Sequence, residues 1–390
     1  MKQSRESSNL KAKFALNPTI TFLNHGSYGA TPKQLQQQQQ YFRTQLESNP
    51  VNFFNRSLPD MITKVQSVVA NYVGASDATG IVLLPNVTTA LNAIARSIQL
   101  NPGDEILLSN HEYGAMRLLW EEIASIRQAR IVVTSIPIPI NGEQEIITAF
   151  ESAITSRTRV LFFSHITSLS AIIFPAKSLC NLARQAGAIS IVDGAHVPGH
   201  IPLKLDELQP DCYAGNMHKW LCAPKSSAFL YASPSVRQWL GGDVVSWGWT
   251  WDNDDAYQSR FRWRGTVDPS AMLCIPDAIK FQEINNWDTV RLRARSLAEE
   301  TLTELETRYC AFPVANTILR PPQMLSLILP KYKTGPPAES IQKQLWSKYS
   351  IEIPVEAFLG HTIIRLSLQG YNSKADCEHL ILALGEIIHI

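Results

Sequence analysis

Residues 191–231, IVDGAHVPGHIPLKLDELQPDCYAGNMHKWLCAPKSSAFLY, hold two side chains whose types and placement suit chemistry. Asp193 closes an apolar run that reads as a buried strand. Lys219 lies between His218 and Trp220, a poor setting for a solvated lysine. A carboxylate and a lysine at the ends of neighbouring strands suit an electron-sink cofactor with a pyridine ring. The carboxylate keeps the ring nitrogen protonated and the lysine forms the Schiff base. The phosphate of such a cofactor needs donors at a helix start. Residues 86–90, NVTTA, open a predicted helix that carries Leu91, Ile94 and Ala95. Thr88 and Thr89 offer backbone N–H groups and hydroxyls there, where the helix dipole is positive. The structural alternative for these residues is an ordinary N-cap. Residues 111–115, HEYGA, lack the second histidine of an HExxH zinc motif, and the six cysteines form no CxxC pair, so no metal site is expected.

The elements that must position these groups follow from the periodicity. Short β-rich runs at residues 81–84, 105–109, 130–135, 159–165, 188–193, 211–214 and 227–232 alternate with longer helical stretches. This alternation predicts an α/β layer with a mainly parallel sheet. Polar clusters at residues 86–89, 110–113, 165–168 and 193–196 each follow a strand. Ligands of open α/β sheets bind beyond the carboxyl ends of strands, so these clusters should converge. After residue 270 the pattern changes, with strands expected at residues 323–329 and 362–368, and a smaller α+β domain begins. The expected division is an N-terminal arm over residues 1–60 contributing to the small domain and active site, a large cofactor domain over 61–270, and a small domain over 271–390.

The segments DGAH and GNMHKW, with LNHGSYG near the start and RGT before the small domain, resemble class V aminotransferase-type enzymes. Within that class the chain is similar to the isopenicillin N epimerase-like group through LNHGSYG, HEYGA, SHITS, VDGAH and HKWLCAPK, over residues 20–370. The resemblance implies the pyridoxal-phosphate-dependent transferase fold of type I. That fold has a large domain with a mainly parallel seven-stranded sheet, helices on both of its faces, and a smaller α+β domain. It implies pyridoxal 5'-phosphate as cofactor and an amino acid as substrate.

The resemblance also implies roles. Lys219 would hold the cofactor and then act as base at the α-carbon, with Asp193 paired to the pyridine nitrogen. His196 would donate to the cofactor's phenolic oxygen, or else be a turn histidine bonded to backbone. His218 would be a second phosphate ligand beside Thr88 and Thr89. Thr266 would reach the phosphate of a neighbouring subunit, which implies a homodimer with shared sites. Tyr113 would stack on the cofactor, with His111 as the competing residue. Arg365 would fix the substrate α-carboxylate, its alternative being an ion pair within the small domain. Asn24, His25 and Ser168 would line the substrate side. Residues 49–56 would do likewise unless Phe53 and Phe54 are core.

Desulfurases of the class carry a nucleophilic cysteine shortly before the carboxylate-binding arginine. Residues 351–365, IEIPVEAFLGHTIIR, contain none, so persulfide chemistry on that loop is excluded. An epimerase-like reaction is the leading expectation, with a β-eliminating C–S lyase second and an aminotransferase third. Epimerisation requires a second acid, and Tyr113, His25 and His111 are the choices.

Composition sets the remaining bounds. The 390 residues are 45% hydrophobic and 18% charged with a formal net charge of +1, which gives no electrostatic footprint for nucleic acid or an acidic membrane. No stretch reads as a membrane span or a secretory leader, so a cytoplasmic protein is expected. The glutamine run at residues 36–40 reads as the solvated face of a helix.

Overall fold

A computed structural model describes residues 10–250, 255–330 and 336–388. Its centre is a seven-stranded sheet in the spatial order Ile81–Leu84, Ala228–Ala232, Cys212–Asn216, Ile189–Asp193, Thr158–Ser164, Glu105–Ser109, Arg130–Thr134. The strand Ala228–Ala232 runs antiparallel to both its neighbours, and every other adjacent pair is parallel. The interior strands are rich in β-branched, aromatic and leucine side chains and are buried on both faces, as a helix-covered parallel sheet requires. Successive residues therefore feed opposite layers. Leu161 and Phe163 enter the core beneath the helices Leu58–Tyr72, Glu143–Ala153 and Ala176–Gln185, while Val160 and Phe162 enter the core under Val87–Ser97 and Gly114–Arg127. Each such aromatic, fully removed from water, contributes roughly 1.5–3 kcal/mol of hydrophobic stabilisation.

The first of these cores continues through Met272, Leu273, Ile275 and Ala278 before the chain crosses to a second layer. There four antiparallel strands lie in the order Val355–Phe358, His361–Ser367, Met324–Leu329, Phe312–Pro313. The helices Trp287–Tyr309, Ala338–Tyr349 and Lys374–Ile388 share a core with this sheet. The fold is thus the large α/β layer plus smaller α+β layer of the type I pyridoxal-phosphate enzymes.

The N-terminal arm joins the smaller layer by backbone pairing. Thr21–Phe22 lies parallel to Ile351–Glu352, and Asn24 then bridges to Ser367. This pairing carries residues 23–29, LNHGSYG, to the boundary between the two layers. Gly29 has φ +72°, and a Cβ on it would collide with the His218 carbonyl, so only glycine lets the arm pass this close to the backbone of Lys219. Farther along the arm, the glutamines of the helix Lys33–Ser48 are exposed or half-buried, and Gln39 donates to Ser270 Oγ at 3.2 Å. Phe53 is core, packed edge-on against Phe54, which meets Trp263 in the same way. Among the described residues no helix is long and apolar enough to cross a membrane, and no group of acidic, histidine or cysteine side chains could hold a metal ion.

Candidate active site

The carboxyl ends of the parallel strands open on a cavity of about 500 Å3 whose walls come from both layers and the N-terminal arm. Of the residues expected at the site, Thr88, Tyr113, Ser168, Asp193, His196, His218, Lys219 and Arg365 line it.

Asp193 is the last residue of its strand and 5% exposed, and its Oδ1 accepts from the Ala195 N–H at 2.9 Å. Burial pushes its carboxyl up, while that N–H and the nearby Lys219 oppose the shift. Lys219 follows the end of the strand Cys212–Asn216, with its Nζ 3.0 Å from His196 Nε2. Desolvation, and then the positive charge of Arg365, pull its amine down to about 7, with Asp193 acting the other way. A lysine that loses its proton near neutrality is suited to attack a carbonyl or accept a proton.

The helix Val87–Ser97 begins at the cavity wall. Asn86 Oδ1 accepts from the Thr89 N–H at 2.8 Å and from the Thr89 hydroxyl at 3.1 Å. Asn216 Oδ1 takes the Val87 N–H at 3.0 Å. Thr89 is therefore spent on the cap and lies outside the cavity wall, whereas Thr88 faces the cavity with neither its N–H nor its hydroxyl partnered among the described residues. His218 Nδ1 donates to the Ser227 carbonyl at 3.1 Å, which leaves Nε2 free. Burial, followed by the charge of Lys219, brings its pKa down to about 4.

Arg365 reaches the cavity from the strand His361–Ser367 and is 4% exposed. Nη1 donates to the Ser168 carbonyl at 2.7 Å, and Nη2 donates to Asn24 Oδ1 at 2.9 Å and Ser27 Oγ at 3.0 Å. Its Nε has no partner, and among the described residues no carboxylate forms an ion pair with it. Burial lowers its pKa to about 10, so it remains a cation. The alternative of an ion pair within the small domain is not what the structure contains. Asn24 orients this arginine and does not itself line the cavity.

Besides Thr89 and Asn24, both histidines expected near the substrate lie away from the cavity. His25 is fully buried behind Lys219, its Nδ1 2.9 Å from the Tyr371 hydroxyl and its Nε2 3.0 Å from the Lys219 carbonyl, so it supports the lysine backbone and does not face the substrate side. His111 is buried with Nδ1 2.8 Å from Ser170 Oγ and Nε2 donating to the Ile136 carbonyl at 2.9 Å. Tyr113, 49% exposed, is the member of HEYGA that lines the cavity. Of the three choices for a second acid it alone is in the wall. None of residues 49–56 lines the cavity, and Thr266 is exposed outside it.

The sequence reading missed Asn216, whose signal was a polar residue at a strand end three positions before the lysine, and Glu112. Glu112 is 7% exposed and ties two strand ends together. Its carboxylate accepts from Ser109 Oγ at 2.5 Å and from the N–H and Oγ of Ser164 at 2.9 and 2.7 Å. Ser164 is in register with Asp193 on the next strand. Burial raises Glu112 from 4.5 to about 7 against those hydrogen bonds, with the charge of Asp193 adding to the rise. A carboxyl whose folded pKa exceeds its unfolded value favours the fold below pH 4.5 and loses that contribution as pH climbs through about 7. Glu112→Gln, whose amide can still pair with both serines, is therefore expected to gain Tm relative to wild type between pH 5 and 8. Parallel Tm curves across that range would show that the carboxyl does not titrate there.

The sequence profile of the family described as Aminotransferase class-V matches residues 20–380. The chain belongs to that family. An isopenicillin N epimerase from Amycolatopsis lactamdurans is 32% identical, covering 97% of this chain and 98% of its own length. An L-cysteine desulfhydrase from Arabidopsis thaliana is 23% identical over 98% of this chain and 91% of that one. Among solved structures, the cystine C-S lyase C-DES in complex with its reaction product cysteine persulfide superposes with a TM-score of 0.82 at 18% identity, covering 95% of this chain and 98% of that one.

Class V is a pyridoxal-phosphate family, and the cavity fits that cofactor. It offers an unpartnered helix-start N–H and hydroxyl at Thr88 for a phosphate, and a deep carboxylate at Asp193 for a pyridinium. It also offers an amine at Lys219 that is ready to condense with an aldehyde.

Proposed function

We propose that this chain is a pyridoxal-phosphate-dependent isomerase of the epimerase-like kind, removing and returning the α-proton of an amino-acid substrate. One observation carries the reading: a desolvated lysine amine, a buried aspartate and a buried arginine without a counter-ion share a single cavity. When bound, the cofactor supplies the sink for the electron pair left on the α-carbon.

The protein's own residues do the rest. Arg365, whose Nη atoms are held by Asn24, Ser27 and the Ser168 carbonyl, keeps two of its five N–H groups for the α-carboxylate and so fixes which bonds of the α-carbon face Lys219. Lys219 takes the α-proton on Nζ. Asp193 would pair with the protonated ring nitrogen. Thr88 and His218 would hold the phosphate, and Asn216 fixes the start of the Thr88 helix. Tyr113 would cover the ring, and of the three candidate acids its phenol is the one in the cavity wall, available to return a proton. Thr266, exposed on this chain, would complete the phosphate site of a second subunit, so the working assembly is a homodimer.

Full-length similarity to an isopenicillin N epimerase supports epimerisation over the other fates of the α-carbon. The desulfhydrase relative supports a second reading, β-elimination from cysteine or cystine, which needs Lys219 but no acid on the opposite face. Transamination, which the family description allows, ranks third. The cofactor-loaded enzyme should be incubated with isopenicillin N, cysteine and cystine, and the products resolved by diastereomer and assayed for pyruvate. A second diastereomer without pyruvate is the expected outcome. Pyruvate and a sulfur product without inversion would transfer the assignment to the lyase.

A further inference from the structure

Trp220 is fully buried, and its indole meets the site at His196. Its indole N–H points to His196 Nδ1 at 3.2 Å, while the other ring nitrogen of that histidine, Nε2, lies 3.0 Å from Lys219 Nζ. An indole N–H can only donate, so His196 Nδ1 must present its lone pair. A neutral imidazole carries its single proton on the other nitrogen. The geometry points to Trp220 as a positioning residue that fixes the proton of His196 on Nε2, facing the amine of Lys219, and so holds that amine in its unprotonated form. The inference deepens the proposed function, since it takes Lys219 as the group that captures the cofactor.

Two histidine rings pack on the indole. His200 stacks on it at 4.1 Å with the rings 25° apart, and His25 lies against it at 5.1 Å. Its backbone carbonyl accepts from Gln282 Nε2 at 2.7 Å. His200 is itself fixed, with Nδ1 donating to the His196 carbonyl at 3.1 Å and Nε2 accepting from the Gln323 N–H at 3.0 Å. Neither flanking histidine therefore offers His196 Nδ1 a different partner. Burial keeps His196 neutral, and the positive charges of Lys219 and Arg365 act in the same direction. An Nε2–H aimed at Nζ has an acceptor only while the lysine is an amine, because an ammonium has no lone pair. The other groups facing Lys219 are Asp193 from the neighbouring strand, Arg365 from the smaller layer and His218 beside it. They are the same whether or not the indole N–H is present.

Trp220→Phe removes that N–H and keeps a ring against His200 and His25. His196 is then free to move its proton to Nδ1 and to accept at Nε2 from a Lys219 ammonium, which favours the charged lysine. The readout is the pH dependence of the rate at which the full-length chain, freed of cofactor, takes pyridoxal phosphate into a borohydride-reducible link at Lys219. In the Trp220→Phe variant the midpoint of this profile should move toward alkaline pH by about one unit. In a His196→Ala background the same change at 220 should add no further shift, because its effect passes through the missing ring. An unmoved midpoint, or an equal shift in both backgrounds, overturns the inference.

If Trp220→Phe does not fold, 15N-histidine spectra of the wild-type chain decide the matter. A protonated Nε2 and bare Nδ1 at His196 support the inference, and the reverse overturns it. Absence of any label at Lys219 in wild type would count against the functional reading, while the nitrogen spectra would still judge the tautomer.

Discussion

Lys219→Ala is expected to lower turnover by roughly a thousandfold or more and to leave the protein colourless after incubation with pyridoxal phosphate. Two losses combine. The variant has no amine to condense with the cofactor aldehyde, and none to take the α-proton, and of the cavity-lining residues Lys219 is the lysine. Stability should not fall in step with activity. The wild-type amine is desolvated, and its pKa is pulled down to about 7 by that burial and by Arg365, so folding gains little from having it there. A variant with near-wild-type Tm, no visible absorption and no borohydride-fixed label meets the expectation. A variant that kept turnover would remove Lys219 from the mechanism.

The second large effect falls on Arg365. Arg365→Ala should reduce kcat/KM for an α-amino acid by roughly a hundred- to a thousandfold, which corresponds to about 2.7–4 kcal/mol, with most of the loss in KM. The wild-type guanidinium spends three donor contacts on the Ser168 carbonyl, Asn24 and Ser27, and faces the cavity with no counter-ion. A bound carboxylate would complete it. Arg365→Lys keeps the charge but not the planar fork, and should recover only part of the loss. Substrates whose carboxylate is replaced by a neutral amide should lose the same factor with wild type and show little difference between wild type and Arg365→Ala. A KM unchanged by Arg365→Ala would place the substrate carboxylate elsewhere.

Much of this arrangement is legible in the residues because burial on both faces leaves a plain mark. The runs at residues 105–109 and 188–193 carry apolar centres, Ile106 to Leu108 and Ile191 to Val192, and their ends deliver Ser109 and Asp193 to one edge of the sheet. The expected strand at residues 211–214 extends two residues farther, to Asn216, because Gly215 and Asn216 still pair with Phe229 and Ala228. A glycine and an asparagine argue for a turn, yet here tertiary pairing outweighs that local preference. Direction was harder to read than type. His25 and His111 have the chemistry of a second acid, but pairing with Lys219 and Tyr371, and with Ser170 and Ile136, turns each ring away from the cavity. Thr89 and Thr88 are neighbours of one kind, and the cap formed by Asn86 decides which of them is left to bind a ligand. Trp220 marked the lysine as buried, whereas its hydrogen bond to His196 depends on a fold that brings together residues 24 positions apart.

The central claim is proton chemistry at the α-carbon through Lys219. The most direct test is to place the cofactor-loaded enzyme in deuterated water with isopenicillin N and a panel of simple L-amino acids, and to follow the α-proton by NMR. Wild type should exchange the α-proton of at least one of them for deuterium, and Lys219→Ala should exchange none. A coloured enzyme with cofactor bound at Lys219 that leaves every α-proton in place would contradict the account.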